Sequence, residues 1–250
     1  MSHFSINSKF THKTYDIEVY IPEIAPSCEG FPIYYVLDGL SYFSFVRDTV
    51  RIQQLNSPKT KVSPAIVIGI CHQKEEMRSQ RFIDFTAPAE KLVMPEHAKG
   101  KLPEEFGGAE RFFQFINSEL KPRIEDQFPV NKAAQTLFGH SLGGYFALWS
   151  LFNHPISFQN YISISPSVWW NGEELIGMGQ RYLENRAKDE KRLFLAVGEQ
   201  EGFMVESARK VEALLKEHLT LERYVAPEEN HASVVPTVVS RAIRFCSNTL

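Results

Sequence analysis

Tyr15, Ile17, Val19 and Ile21 alternate with Asp16, Glu18 and Tyr20. That alternation predicts a half-buried antiparallel strand. A turn-rich connection, Pro22 to Gly30, leads to Ile33-Tyr34-Tyr35-Val36-Leu37, a continuous apolar run expected of a strand covered on both faces. Ala65 to Ile70, Tyr161 to Ile164, Leu193 to Val197 and Leu219 to Val225 read as further strands, and Leu137-Phe138 as a short one. Between them the apolar period changes from two to near 3.6. Helices are predicted from about Tyr42 to Gln54, Glu173 to Lys188, Val205 to His218 and Ala232 to Phe245. Gly108 to Phe128 predicts a long amphipathic helix with Phe112, Phe115, Ile116, Leu120 and Ile124 on one stripe and a kink at Pro122. From Cys71 to about Gly107 no period survives, and Pro88, Pro95, Gly100 and Pro103 punctuate the stretch. Such a long irregular connection is expected to serve as a lid-like insertion, over about 72–107.

Strands alternating with helices predict an α/β fold: a mainly parallel central sheet wrapped on both faces, with an antiparallel N-terminal portion. At 250 residues and 43% hydrophobic, the whole chain, 1–250, fits one domain with a sizeable core. Ligands of such sheets collect beyond the carboxyl ends of the strands.

Charge and cysteine content narrow the partners. The net charge of −3, with no basic run, points away from nucleic acid. No apolar stretch is long enough to span a bilayer, and the first residues lack the apolar core of a secretion signal. Cys28, Cys71 and Cys246 are odd in number and irregularly spaced, as expected of reduced thiols in a cytoplasmic protein. No spacing suggests a metal site, and no cofactor is expected.

The chemistry centres on Gly139-His140-Ser141-Leu142-Gly143, which follows Leu137-Phe138 and precedes an apolar helical pattern. That context makes the pattern a nucleophile elbow, with Ser141 exposed on a sharp turn and Gly139 and Gly143 allowing strand and helix to approach. A serine hydroxyl needs a base, and the base needs an orienting group. His231, in the loop between the last strand and last helix, is the best base; His72 is a weaker rival, and His140, His97 and His154 lack the placement. The acid is expected after the strand ending at Val197, where Glu201 is preferred and Glu199 is the alternative; with both solvated, Ser141 and His231 would work as a dyad. Attack on an ester carbonyl also needs two N–H donors, each worth about 3 kcal/mol. Leu142 supplies one; Leu40 is expected to supply the other from the Asp38-Gly39-Leu40 loop, with Gly39 as alternative. Trp169 and Trp170 are candidates to wall an acyl pocket, and Arg78 and Arg81 to bind an anionic substrate. The expected substrate is a small ester.

Several segments together resemble the putative-esterase family of α/β hydrolases. They are Val36-Leu37-Asp38-Gly39, Arg78-Ser79-Gln80-Arg81 with Asp84-Phe85-Thr86, the elbow with Gly144, Ser165-Pro166-Ser167-Val168-Trp169-Trp170-Asn171, and Glu229-Asn230-His231. The chain is most similar to the siderophore esterases that hydrolyse trilactones such as enterobactin and bacillibactin. The resemblance implies an α/β-hydrolase fold, a metal-free serine esterase, catalysis by Ser141 and His231, and an oxyanion hole at the Leu40 and Leu142 amides. A general short-chain esterase, an acyltransferase using the same site and a non-catalytic binding protein are the competing readings.

Overall fold

The computed structural model describes residues 2–96, 103–185 and 190–247. His97, Gly100 and Lys188 of the sequence reading lie outside these residues. The strands are β1 Ser2–Asn7, β2 Thr14–Tyr20, β3 Phe31–Val36, β4 Ile66–Cys71, β5 Val130–His140, β6 Asn160–Ile164, β7 Arg192–Gly198 and β8 Thr220–Ala226. They form one sheet in the order β1-β2-β4-β3-β5-β6-β7-β8. β2 is antiparallel to β1 and β4, and the other neighbours pair in parallel. The carboxyl ends of β3, β5, β6, β7 and β8 therefore share one edge. The predicted α/β-hydrolase class is the class found.

The helices are α1 Gly39–Gln53, α2 Ser57–Thr60, α3 Met77–Phe85, α4 Ala109–Phe115, α5 Lys121–Gln127, α6 Leu142–Asn153, α7 Glu174–Asn185, α8 Phe203–Leu215 and α9 Val234–Ser247. Alternation along β3 sorts the core into two layers. Ile33 and Tyr35 join the layer under α4 to α8. Tyr34 and Val36 join the layer under α1 and α9, where Phe43, Val46 and Val50 of α1 meet Val235, Val238 and Ile243 of α9. α6 is buried from Leu142 through Phe152. It is apolar all round, as a helix enclosed on every side must be.

Three elements depart from the expectations of the periodic pattern. β1 carries only Phe4 and Ile6 as apolar residues, too few to register as a period. β5 begins at Val130, well before Leu137, because its first half contains Asn131, Lys132 and Gln135. α3 lies inside the stretch that reads as irregular, and its buried residues are Gln80, Asp84 and Phe85. A helix whose covered face is largely polar gives no apolar stripe to detect. The long helix does not stop at Pro122: α4 runs through a π-helical turn, Ile116–Leu120, into α5. The wider turn accommodates the missing proline N–H without ending the helix.

Candidate active site

Ser141 joins β5 to α6 with φ 59° and ψ −117°, backbone angles that a non-glycine residue adopts only when its surroundings enforce them. The enforcement is visible. The Ser141 amide donates to Ile164 O at 3.0 Å, and its carbonyl accepts from Tyr145 N at 2.9 Å and Ser167 N at 3.1 Å. A Cβ on Gly139 would sit 2.0 Å from the carbonyl oxygen of Gly143, so strand and helix cross here only because that position is glycine. Gly143 is the more tolerant of the pair, its nearest neighbour for a Cβ being Asp38 Oδ2 at 3.4 Å. The Ser141 hydroxyl is 3.4 Å from that of Ser167.

His231 follows β8 in a loop held by Asn230, whose Oδ1 accepts from the Ala232 amide at 2.9 Å. Its Nδ1 is 2.6 Å from Oε2 of Glu201. Its ring centroid is 4.5 Å from that of His140, the residue before Ser141. The Glu201 side chain is 1% exposed and that of His231 45%, so the imidazole is reachable from solvent and the carboxylate is not. Glu201 ends a 3-10 turn, Glu199–Glu201, directly after β7. Its Oε1 accepts from Ser165 Oγ at 2.5 Å and from Gly198 N at 2.6 Å. Burial pushes the Glu201 pKa up, but the bonds from His231, Ser165 and the Gly198 amide outweigh it and hold the carboxyl below its ordinary range. Gly198 also lets the turn and the His231 loop touch, since a Cβ there would lie 2.4 Å from Glu229 O. Glu199 points elsewhere and accepts from the Glu228 amide at 3.0 Å.

His140 is 5% exposed, and its Nδ1 is 2.8 Å from the Tyr42 hydroxyl. Burial, then the neighbouring His231 and Arg81 charges, lower its pKa to about 3. It is therefore neutral near pH 7 and does not compete for the proton of a nearby base. The unfolded chain protonates this histidine near 6.5, the folded one only near 3. Between those values the unfolded state binds more protons, so stability falls as pH falls. His140→Gln, which keeps a partner for Tyr42, is expected to lose less stability than wild type between pH 6.5 and 3 in urea unfolding. Equal losses would contradict this assignment.

The first amides of a helix have no acceptor within the helix. Leu142 opens α6, and Gly39 and Leu40 open α1. The Leu40 amide also faces the sulfur of Cys71, whose pKa burial pushes up to about 12. Asp38, just before α1, is buried in the left-handed region with φ 52° and ψ 48°.

Two substrate-contact expectations, for Trp170 and Arg78, need correction. Trp170 is fully buried against Phe82, Phe106 and Trp169, so it backs the loop and does not face a substrate. Arg81 donates from Nε to Asp38 Oδ1 at 2.8 Å, and its Nη2 lies 3.5 Å from the carbonyl oxygen of His140, the residue before Ser141. Arg78 lines a separate cleft with Lys13 and Glu75, Glu76, Glu104 and Glu105, a setting that opposes anion binding. Trp169 is half-buried and lines a groove of about 430 Å³ with Val93, Met94, Pro95 and Phe203. His72 is also no base for Ser141: it is 1% exposed and its Nε2 is bonded to Asp84 Oδ2 at 3.0 Å. The sequence reading assigned no role to Tyr42, Ser165 or Ser167. Ser165 and Ser167 stand in a segment already singled out, but no residue pattern announces that a serine will bond a buried glutamate.

Among the described residues no helix is long and apolar enough to cross a membrane, and no cluster of His, Cys, Asp and Glu is placed to hold a metal ion. A family model described as "Putative esterase" matches residues 8–232. The chain is 37% identical over 251 aligned residues to ferri-bacillibactin esterase BesA of Bacillus subtilis, covering 96% of this chain and 87% of that protein. It is 29% identical to the siderophore enterobactin esterase of Emericella nidulans, over 86% of this chain and 81% of that one. Among solved structures, the BES protein from Bacillus cereus superposes with a TM-score of 0.89 at 38% identity, covering 98% of this chain and 95% of the other.

Proposed function

Since the chain belongs to the putative-esterase family and is a carboxylic ester hydrolase, we propose that Ser141 is its nucleophile, His231 its base and Glu201 the acid that orients the base. The observation that carries this reading is the 2.6 Å contact between Glu201 Oε2 and His231 Nδ1, with the His231 ring set against the residue before Ser141. A carboxylate buried on one side of the imidazole fixes Nδ1 as the protonated nitrogen and leaves Nε2 as the acceptor for the serine proton. As the hydroxyl oxygen bonds to the ester carbonyl carbon, its proton passes to His231. The resulting imidazolium is stabilised by Glu201. The carbonyl oxygen gains the negative charge, and the Leu142 and Leu40 amides receive it, with the Gly39 amide one position away. The His231 proton then goes to the leaving alkoxide. Water, deprotonated by the same imidazole, releases the acid from Ser141 and restores the hydroxyl.

The substrates proposed are siderophore trilactones, on the strength of the relatives' stated substrates and the extent of the match. Trp169, in the loop whose Ser167 hydroxyl is 3.4 Å from that of Ser141, supports a site that accepts aromatic acyl groups. The odd number and irregular spacing of Cys28, Cys71 and Cys246 support a reducing, cytoplasmic setting. A hydrolysis panel tests the substrate reading. A catecholate trilactone is expected to be cleaved with a kcat/KM at least tenfold above p-nitrophenyl acetate and p-nitrophenyl octanoate. Equal or lower values for the trilactone would leave a general esterase.

A further inference from the structure

We infer that Ser167 is a further catalytic residue: its hydroxyl donates a hydrogen bond to the Ser141 oxygen as the acyl group leaves it. The inference rests on the proposed roles of Ser141 and His231. It concerns the oxygen of the nucleophile itself, which the amides of the oxyanion site do not serve. Ser167 Oγ lies 3.4 Å from Ser141 Oγ, and Ser167 is 1% exposed. Ser141 gives its own proton to the base, which leaves its lone pairs as acceptors and makes Ser167 the donor of the pair. At 3.4 Å the bond is long and weak in the resting protein. It is expected to shorten when the acceptor becomes charged.

The backbone holds that hydroxyl in place. The Ser167 amide donates to Ser141 O at 3.1 Å, and the Ser167 carbonyl accepts from Trp170 N at 3.0 Å. Two residues earlier, Ser165 donates from its amide to Ala196 O at 2.7 Å and from Oγ to Glu201 Oε1 at 2.5 Å. A Cβ on Gly144 would sit 3.1 Å from Pro166 Cα, so the loop lies directly against the first turn of α6. One short loop thus serves both ends of the catalytic chain: Ser165 braces the buried acid, and Ser167 faces the nucleophile. The buried Ser167 hydroxyl meets little competition from water, and a preorganised donor in such a place acts strongly on charge that develops beside it.

The two halves of the reaction load this bond differently. During acylation Ser141 Oγ starts as a hydroxyl oxygen, a good acceptor, and ends as an ester oxygen, a poor one. The bond from Ser167 therefore gives acylation no net help. Deacylation runs the other way. Water adds to the acyl carbon and gives a proton to His231. The tetrahedral intermediate then collapses: the bond between carbon and Oγ breaks, its electron pair goes to Oγ, and the His231 proton moves onto that oxygen. The Ser167 bond is weak in the acyl-enzyme and strong at this collapse, and only an interaction that strengthens toward the transition state raises the rate. Ser167 accordingly speeds release of the acid and not the attack of Ser141.

Ser167→Ala and Ser167→Cys test the inference with p-nitrophenyl acetate. Its leaving group departs readily, so release of acetate is expected to set kcat. In Ser167→Ala, kcat and KM are expected to fall together by about tenfold, the scale of one hydrogen bond to a charged atom, with kcat/KM within about threefold of wild type. Decay of the acetyl group on Ser141, followed by intact mass after rapid removal of excess ester, is expected to slow by the same factor. The thiol of Ser167→Cys, a weaker donor of similar size, is expected to give an intermediate decay rate, and this variant carries the test if the alanine variant does not fold. Wild-type decay of the acetyl-enzyme in a folded variant would overturn the inference. So would a fall in kcat/KM as large as that in kcat, which would make Ser167 a brace for Ser141 and not a donor at collapse. If wild-type protein turns over no ester and Ser141 takes no acetyl group, the ester-hydrolase reading fails instead.

Discussion

Ser141→Ala is expected to lower turnover of p-nitrophenyl acetate by roughly 10⁵-fold, the scale on which loss of the nucleophile removes the whole serine machinery. The fold is expected to survive. The strained backbone at Ser141 is held by the Ile164, Tyr145 and Ser167 backbone bonds, none of which uses the hydroxyl. The hydroxyl itself has a long 3.4 Å contact with Ser167. Alanine therefore removes the reacting atom and little else. Thermal unfolding within about 3 °C of wild type, beside lost turnover, would separate a chemical defect from a structural one. A well-folded variant that kept a tenth of wild-type turnover would contradict the assignment.

Glu201→Gln is expected to lower kcat by about 10³- to 10⁴-fold, against less than threefold for Glu199→Gln. The two glutamates lie in the same short turn, yet their surroundings differ. Glu201 receives Ser165 Oγ and the Gly198 amide on one oxygen and His231 on the other. A glutamine there cannot accept on both sides. If its oxygen faces Ser165 and Gly198, its NH₂ faces His231 and drives the proton to the wrong ring nitrogen. Glu199 accepts one backbone amide, from Glu228, which a glutamine oxygen accepts as well. Parallel kinetics on the two variants check the contrast. Equal losses would mean that the turn as a whole, and not the Glu201 carboxylate, supports His231.

Much of this architecture was legible from local pattern. Runs such as Ile33 to Leu37 announce buried parallel strands because both faces are apolar. The elbow is legible because a serine forced into a strained turn needs glycine where strand and helix cross, and Gly139 leaves no room for a Cβ. Other features depend on contacts between distant segments. α3 was hidden because it buries Gln80 and Asp84 where a period-based reading looks for leucines. Arg81 reads in sequence as a candidate to bind an anionic substrate, and its bond to Asp38, which follows β3, has no signal in local pattern. Trp170 reads like its neighbour Trp169, but the turn between them sends one ring inward. Sequence preferred Glu201 over Glu199 from its place after Gly198, but both follow the same strand. Only the sense of a single 3-10 turn brings Glu201 against the imidazole.

Reaction of the wild-type protein with a fluorophosphonate, followed by digestion and peptide mass spectrometry, bears most directly on the proposal that Ser141 attacks the ester. One phosphonyl group per chain, mapped to the peptide containing Ser141 and formed in step with loss of activity, is the predicted result. An adduct on another residue, or full loss of ester turnover with Ser141 unlabelled, would contradict it.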